Sequence, residues 1–300
     1  MTSAMGTAQF RLDPATRATI PGIVDRALAE DLGTSEAGEV NLTADVTSAA
    51  TIRADAHGVA DVRTRADGIV AGLDVAALVL ERAGATVRLV RNDGDRIVAG
   101  DVVLTAEGPV RSLLTVERTM LNLLCHLSGV ATLTARWVDA VAGTGAQIRD
   151  TRKTTPGLRA LEKYAVRCGG GVNHRMGLWD AALVKDNHVA AAGGVAAAFA
   201  AVRSDFPGVT VEVECDTVDQ VREAIAAGAD LILLDNMSLD DLRASVELAH
   251  PTVLLEASGG LSLDVAHDVA ATGVDYLAVG ALTHSAPILD LGLDLREDGA

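Results

Sequence analysis

The spacing of apolar and polar residues changes along the 300-residue chain, and each change predicts a different kind of element. Residues 1–10 have no apolar period and read as a loose tail. Asp13-Pro14 is a helix-start signal: Asp can accept from the first free backbone N–H groups, and Pro suits the first turn. Ile23, Val24, Ala27 and Leu28 follow at helical spacing until Gly33, with Pro21 predicted to break and restart the helix. From Ile52 to Glu107 the period falls to two, in Val59–Arg63, Thr86–Val90 and Val102–Thr105. Glycines 68, 72, 94, 100 and 108 divide these runs around one helix at Val75–Arg82, the pattern of a small α+β domain. Arg111–Ala142 is helical again through Leu113, Leu121, Leu124, Leu127 and Val130. Arg118 on that helix reads as a solvated or salt-bridged side chain.

Beyond this helix, short apolar runs alternate with amphipathic stretches. Strands are predicted at Gln147–Arg149, Ala182–Val184, Val209–Glu214, Leu231–Leu234, Val253–Glu256 and Tyr276–Val279. Helices are predicted at Gly194–Arg203, Val218–Ala227, Leu239–Ala249 and Leu263–Thr272. Strands joined by crossover helices imply a parallel sheet with right-handed connections. Six such units are too few for an eightfold barrel, which takes about 250 residues. The expectation is an open α/β barrel, with a doubly wound sheet as the alternative. The division expected is 1–116 for the α+β part and 117–286 for the barrel, with 287–300 packing back on the first.

Composition narrows the function classes. The apolar fraction is 49% and aromatic residues are few, which suits aliphatic packing of buried parallel strands. A net charge of −16 argues against nucleic acid as a partner. No run of 18 apolar residues and no secretory signal pattern is present, so the cytoplasm is the expected location. Cys125, Cys168 and Cys215 are widely spaced and read as buried reduced thiols. Against the acidic background, Arg149–His188 holds eight Lys/Arg and four Asp/Glu, a local +4. Such a cationic island is suited to a small polyanion.

The residues that close the apolar runs carry the chemistry. In parallel β/α folds the carboxyl ends of the strands share one face, where ligands bind. Arg152, Lys153, Arg175 and Lys185 suit carboxylate or phosphate. Glu212 and Glu214 fall on one side of their strand and, with Asp235, suit Mg²⁺ or a developing positive charge. Ser258-Gly259-Gly260, just before a helix, reads as a phosphate cradle, with Gly280-Ala281 as its second half. No nucleotide-binding glycine motif occurs, and the spacing of His174 and His188 does not suit zinc. On these residues alone, an enzyme acting on a small polyanion, a lyase forming a Schiff base at Lys185 and a non-catalytic anion binder all stay open.

Four motifs together are specific: Arg149-Asp150-Thr151-Arg152-Lys153-Thr154, Glu162-Lys163-Tyr164-Ala165-Val166, Gly169 to Arg175, and Lys185-Asp186-Asn187-His188. With Glu117-Arg118-Thr119, Leu233 to Asn236 and Glu256 to Gly260, they make the chain resemble the quinolinate phosphoribosyltransferase family. Two positions depart from the family pattern, Cys125 and the bulky Trp179. The resemblance implies an N-terminal α/β sandwich followed by an open, seven-stranded α/β barrel. It implies transfer of phosphoribosyl from phosphoribosyl pyrophosphate to quinolinate with loss of CO₂, in NAD synthesis. Carried over by motif, Thr151, Arg152, Lys153, His174, Arg175 and Lys185 would meet the quinolinate carboxylates and the pyrophosphate. Glu214 and Asp235 would serve Mg²⁺ and the ribosyl group. Ser258, Gly259, Gly260, Val279, Gly280 and Ala281 would hold the 5′-phosphate. Arg118 would reach the neighbouring subunit's site in a homodimer. Lys153, Lys185, Glu214 and Asp235 would carry the catalysis.

Overall fold

The computed structural model describes residues 12–35 and 40–296. The expected tail, residues 1–10, lies outside them. In chain order the first elements are α1 (Pro14–Leu32), α2 (Val46–Thr51), β1 (His57–Thr64), β2 (Gly68–Ile69) and α3 (Leu73–Arg82). Then come β3 (Thr86–Leu89), β4 (Arg96–Ile97), β5 (Val102–Pro109), α4 (Val110–Ala140), β6 (Gln147–Arg149) and α5 (Arg159–Cys168). The alternating part runs β7 (Ala182–Val184), α6 (Asp186–Ala192), α7 (Val195–Asp205), β8 (Val211–Cys215), α8 (Val218–Ala226) and β9 (Leu231–Asp235). It ends with α9 (Leu239–Ala249), β10 (Leu254–Ser258), α10 (Leu263–Ala270), β11 (Tyr276–Ala278), α11 (Ala281–His284) and β12 (Leu291–Leu295).

Two compact units result. The described residues among 1–133, 155–170 and 285–300 form the first, and 134–154 with 171–284 the second. The first unit thus takes in 155–170 as well as the C-terminal residues described from 285 on. Residues 155–170 join the first unit because α5 packs on α1, and Tyr164 Oη donates to Asp93 Oδ2 at 2.8 Å.

The first unit holds an antiparallel sheet in the order β12-β1-β5-β3, with α3 packed on β3 and β5. Asp13 Oδ1 accepts from Thr16 N at 2.9 Å, and α1 then runs unbroken through Pro21. Continuity was not expected. Pro21 is exposed, so its ring meets solvent and one backbone hydrogen bond is forgone, while buried Ile20, Ile23, Val24 and Leu28 keep both halves docked. Burying each such side chain stabilises the fold by about 1.5–3 kcal/mol. Gly129 of α4 must lack a side chain, since a Cβ there would overlap the Pro287 carbonyl oxygen. That close approach leads the chain into β12, which pairs with β1.

The second unit contains the six-stranded parallel sheet β6-β11-β10-β9-β8-β7. Neighbours are consecutive in sequence except that the first strand, β6, lies beside the last, β11. Only a sheet that wraps round on itself gives this order, so the doubly wound alternative is set aside and the open barrel stands. The ring is unclosed between β6 and β7. A seventh strand was expected; among the described residues its place beside β6 is taken by a single parallel bridge, Arg149 to Val172. Val211, Val213, Ile232, Leu234, Leu255 and Leu277 are fully buried, the continuous apolar character expected of strands covered on both faces.

Candidate active site

Five of the six barrel strands lead into residues singled out by the sequence that converge on one cavity of about 440 Å³. Thr151, Arg152 and Lys153 enter it after β6, Lys185 after β7, Glu214 from β8, Asp235 from β9 and Ser258 from β10. His174 and Arg175 reach it from the segment that spans the unclosed edge. Leu183, Leu233 and Ala278 give it apolar wall. All four residues expected to carry catalysis are therefore present together.

Local bonding explains these positions. Lys153 N donates to Thr151 Oγ1 at 3.0 Å, tightening the turn after β6. Buried Asp150 accepts from His174 N at 2.8 Å and from Asn173 Nδ2 at 2.6 Å, so β6 fixes where the 173–175 segment runs. Arg175 Nη1 donates to Ala181 O at 2.8 Å. Lys185 Nζ is ion-paired with Glu214 Oε2, joining cation and carboxylate across neighbouring strands. Asn236, at a φ of 53°, donates to Asp235 Oδ2 at 2.7 Å. Gly259 is required beside it: its φ is 90°, and a Cβ would overlap the Asn236 side chain.

Charge is arranged in two groups. Burial, then the neighbouring Arg152 guanidinium, holds Arg175 below the ordinary arginine value. Two crowded guanidiniums are a place that a dianion relieves. Glu214 and Asp235 line the same cavity from β8 and β9. Beneath lies a buried layer in which His174 Nε2 is 2.8 Å from Glu212 Oε2 and 3.6 Å from Glu256 Oε1. Arg149 Nη1 is 2.6 Å from Glu256 Oε2, and its guanidinium stacks over the Tyr276 ring at 4.8 Å. Burial foremost, and then Glu212, push the Glu256 carboxyl up to about 7.

Several expectations need adjusting. Glu212 was grouped with Glu214 and Asp235 around Mg²⁺, but it turns inward to His174 and is only 3% exposed. His174 lines the cavity, yet its Nδ1 accepts from Arg175 N at 2.7 Å and its Nε2 faces Glu212. Gly259, Gly260, Val279, Gly280 and Ala281 sit at the β10 and β11 ends, outside the cavity's immediate lining. Arg118 is exposed on α4 in the first unit and does not line it either. Glu256 was missed as a lining residue. Its signal was its place two residues before Ser258, which puts both on one side of β10. His174, Glu212 and Glu256 bring ligand-type atoms within 4.8 Å of one another, but the Arg149 guanidinium already supplies a cation to that layer.

Residues 130–294 match the quinolinate phosphoribosyl transferase C-terminal domain, and residues 45–128 match its N-terminal domain. The chain belongs to the quinolinate phosphoribosyl transferase family. Among curated family relatives, the nicotinate-nucleotide pyrophosphorylase (carboxylating) of Mycobacterium leprae is 53% identical over 279 residues, covering 91% of this chain and 95% of that protein. A probable enzyme of the same name from Bacillus subtilis is 43% identical, over 79% of this chain and 83% of its own. The solved structure of the Francisella tularensis nicotinate-nucleotide pyrophosphorylase superposes with a TM-score of 0.89 at 37% identity, covering 97% of this chain and all of that one. Of the two positions expected to depart from the family pattern, Cys125 is buried with Sγ 3.8 Å from Leu291 O, and Trp179 is exposed.

Proposed function

We propose that this chain transfers the phosphoribosyl group of phosphoribosyl pyrophosphate to the ring nitrogen of quinolinate. Pyrophosphate and CO₂ leave, and nicotinate mononucleotide is formed for NAD synthesis. The observation that carries this reading is the cavity itself, which Arg152, Lys153, Arg175 and Lys185 share with Glu214 and Asp235. Quinolinate brings two carboxylates and its co-substrate several phosphate charges, matching a local +4 in an acidic chain.

Each group then has a role. Arg152 and Arg175, with Lys185, grip the carboxylates and hold the pyridine nitrogen in line with the ribose carbon. As pyrophosphate departs, positive charge builds on that carbon, and Glu214 and Asp235 stabilise it while Lys153 receives the leaving group. Ser258 to Gly260 and Val279 to Ala281 hold the 5′-phosphate through backbone N–H groups. After transfer the ring nitrogen is cationic and stabilises the electron pair left on the adjacent carbon as CO₂ leaves; Lys153 lies close to that carbanionic carbon, which then takes up a proton to give nicotinate mononucleotide. Lys185 is ion-paired and about half of its side chain is open to solvent, unlike the desolvated amine a Schiff-base lyase needs.

Mg²⁺ is the cofactor in this reading. Glu214 and Asp235 offer hard oxygen donors on adjacent strands, a fit for an ion that binds through one or two carboxylates and keeps several waters. Because Lys185 occupies the Glu214 carboxylate, that residue would hold the ion through water. Bound there, Mg²⁺ neutralises diphosphate charge. The catalytic unit is a homodimer in which Arg118 serves the neighbouring site. The enzyme acts in the cytoplasm in this reading. Among the described residues no helix is long and apolar enough to cross a membrane. Incubation with Mg²⁺, phosphoribosyl pyrophosphate and carboxyl-labelled quinolinate tests the reading. Equimolar CO₂ and nicotinate mononucleotide are expected; turnover of nicotinate without quinolinate overturns it.

A further inference from the structure

Lys153 is held by more than its own turn. Thr283, on α11, is 1% exposed, and its hydroxyl donates to the Lys153 carbonyl oxygen at 2.7 Å. Its other acceptor, Gly280 O, is farther away at 3.4 Å. The Lys153 N–H is engaged as well, by Thr151 Oγ1 at 3.0 Å. Both backbone polar groups of this lysine are therefore fixed by hydroxyls, one from its own turn and one from 130 residues away. The side chain is guided too. A Cβ on Gly280 would come 3.0 Å from Lys153 Cδ and 3.3 Å from the His284 ring, so the missing side chain leaves a lane for the lysine stem. Thr283 and His284 N–H groups both return to Gly280 O, at 3.2 and 3.3 Å, so lane and hydroxyl belong to one tight turn.

We propose that Thr283 is a positioning residue: by holding the Lys153 carbonyl against the turn that begins at Gly280, it aims the Lys153 ammonium at the pyrophosphate position. The inference rests on the phosphoribosyl-transfer reading for the role of Lys153, but not for the coupling between the two residues. Rotamer freedom explains its value. A lysine stem is rich in rotamers, so an unanchored one spreads its charge over many positions. Preorganised charge acts best when it need not move during the reaction. Thr283 touches no reacting atom, so its influence must pass through Lys153.

A double-mutant cycle on affinity for inorganic pyrophosphate plus Mg²⁺, read by calorimetry, tests this independently of turnover. Thr283→Val keeps the shape and removes the donor; Thr283→Ser keeps the donor. Loss of one hydrogen bond of this kind is expected to weaken pyrophosphate binding by about tenfold, with Ser near the parent. In a Lys153→Ala background the Val substitution should change affinity less than twofold. An equal loss in both backgrounds, or a Ser variant as weak as Val, overturns the proposal. Should Thr283→Val fail to fold, Thr283→Ala replaces it, since it removes the same donor with a smaller side chain; a loss that persists without Lys153 again overturns the proposal. A wild-type protein that binds pyrophosphate with this coupling yet never consumes quinolinate would sink the functional reading and leave the positioning intact.

Discussion

Arg149 Nη1 lies 2.6 Å from Glu256 Oε2, an ion pair that bridges the ends of β6 and β10 across β11 inside the barrel. Glu256 is wholly buried and Arg149 is 16% exposed. Removing one partner of a buried pair leaves an uncompensated charge, at a cost of about 3–5 kcal/mol. Glu256→Ala should therefore lower unfolding free energy by that amount in urea titrations, and Glu256→Gln, which still accepts a hydrogen bond, by clearly less. A loss below about 1 kcal/mol for the alanine variant would show that the pair is not structural.

Lys153→Ala tests the chemistry and not the fold. The residue is exposed, and its carbonyl bond to Thr283 is a backbone one that alanine keeps. Thermal midpoint should shift little. Loss of a preorganised cation at a departing diphosphate should lower kcat/KM by about 10²–10³-fold. Steady-state CO₂ release checks the size; unchanged turnover removes Lys153 from the mechanism.

The strand ends were legible because each barrel strand is a short apolar run that stops at one polar or glycine residue, as at Lys185, Asp235 and Ser258. Layers beneath were harder to see. Glu256 and Glu212 sit among Leu, Val and Ala inside their runs, and nothing local says that a carboxylate there points at Arg149 or His174. Helix α5 was quoted only as a motif because Glu162 and Lys163 break any apolar stripe, yet both are fully buried. His126 Nε2 at 2.8 Å and Thr155 N at 3.0 Å satisfy the Glu162 carboxylate, a compensation that spans 36 residues and no window reads. Thr283 was invisible for a similar reason: its partner lies 130 residues away.

Gly259 makes a local prediction. Its φ of 90° disfavours any side chain, and a Cβ would collide with Asn236, which holds Asp235. Gly259→Ala should cost about 1–3 kcal/mol of stability and displace Asp235 together with the cradle. The expected kinetic outcome is a raised KM for phosphoribosyl pyrophosphate with that for quinolinate nearly unchanged. Equal effects on both substrates would argue against a phosphate site at β10.

Arg118 can be tested by complementation. Arg118→Ala and Lys185→Ala homodimers are each expected to be inactive. In a mixed dimer, the subunit that keeps Lys185 would receive an intact Arg118 from its neighbour, restoring one site of two. Random reassortment then predicts recovery of about a quarter of wild-type activity, as an isologous two-fold pair requires. No recovery after subunit exchange has been verified by mass spectrometry would confine Arg118 to its own subunit.

Asp93 links stability to pH. Burial foremost pushes its carboxyl up to about 6 from an ordinary 3.8, although Leu73 N and Tyr164 Oη both donate to it. The folded protein thus holds this proton more tightly than the unfolded chain. The contribution is fully present below pH 3.8 and is lost as pH rises through about 6. Two pKa units of difference correspond to about 3 kcal/mol. Other carboxylates titrate over the same range, so the comparison must be between proteins. Asp93→Asn cannot ionise, and its unfolding free energy relative to wild type should rise by about that amount between pH 4 and pH 7. Chemical denaturation at the two pH values measures it, and a difference that stays flat, or falls, would mean that Asp93 is ionised in the fold at both.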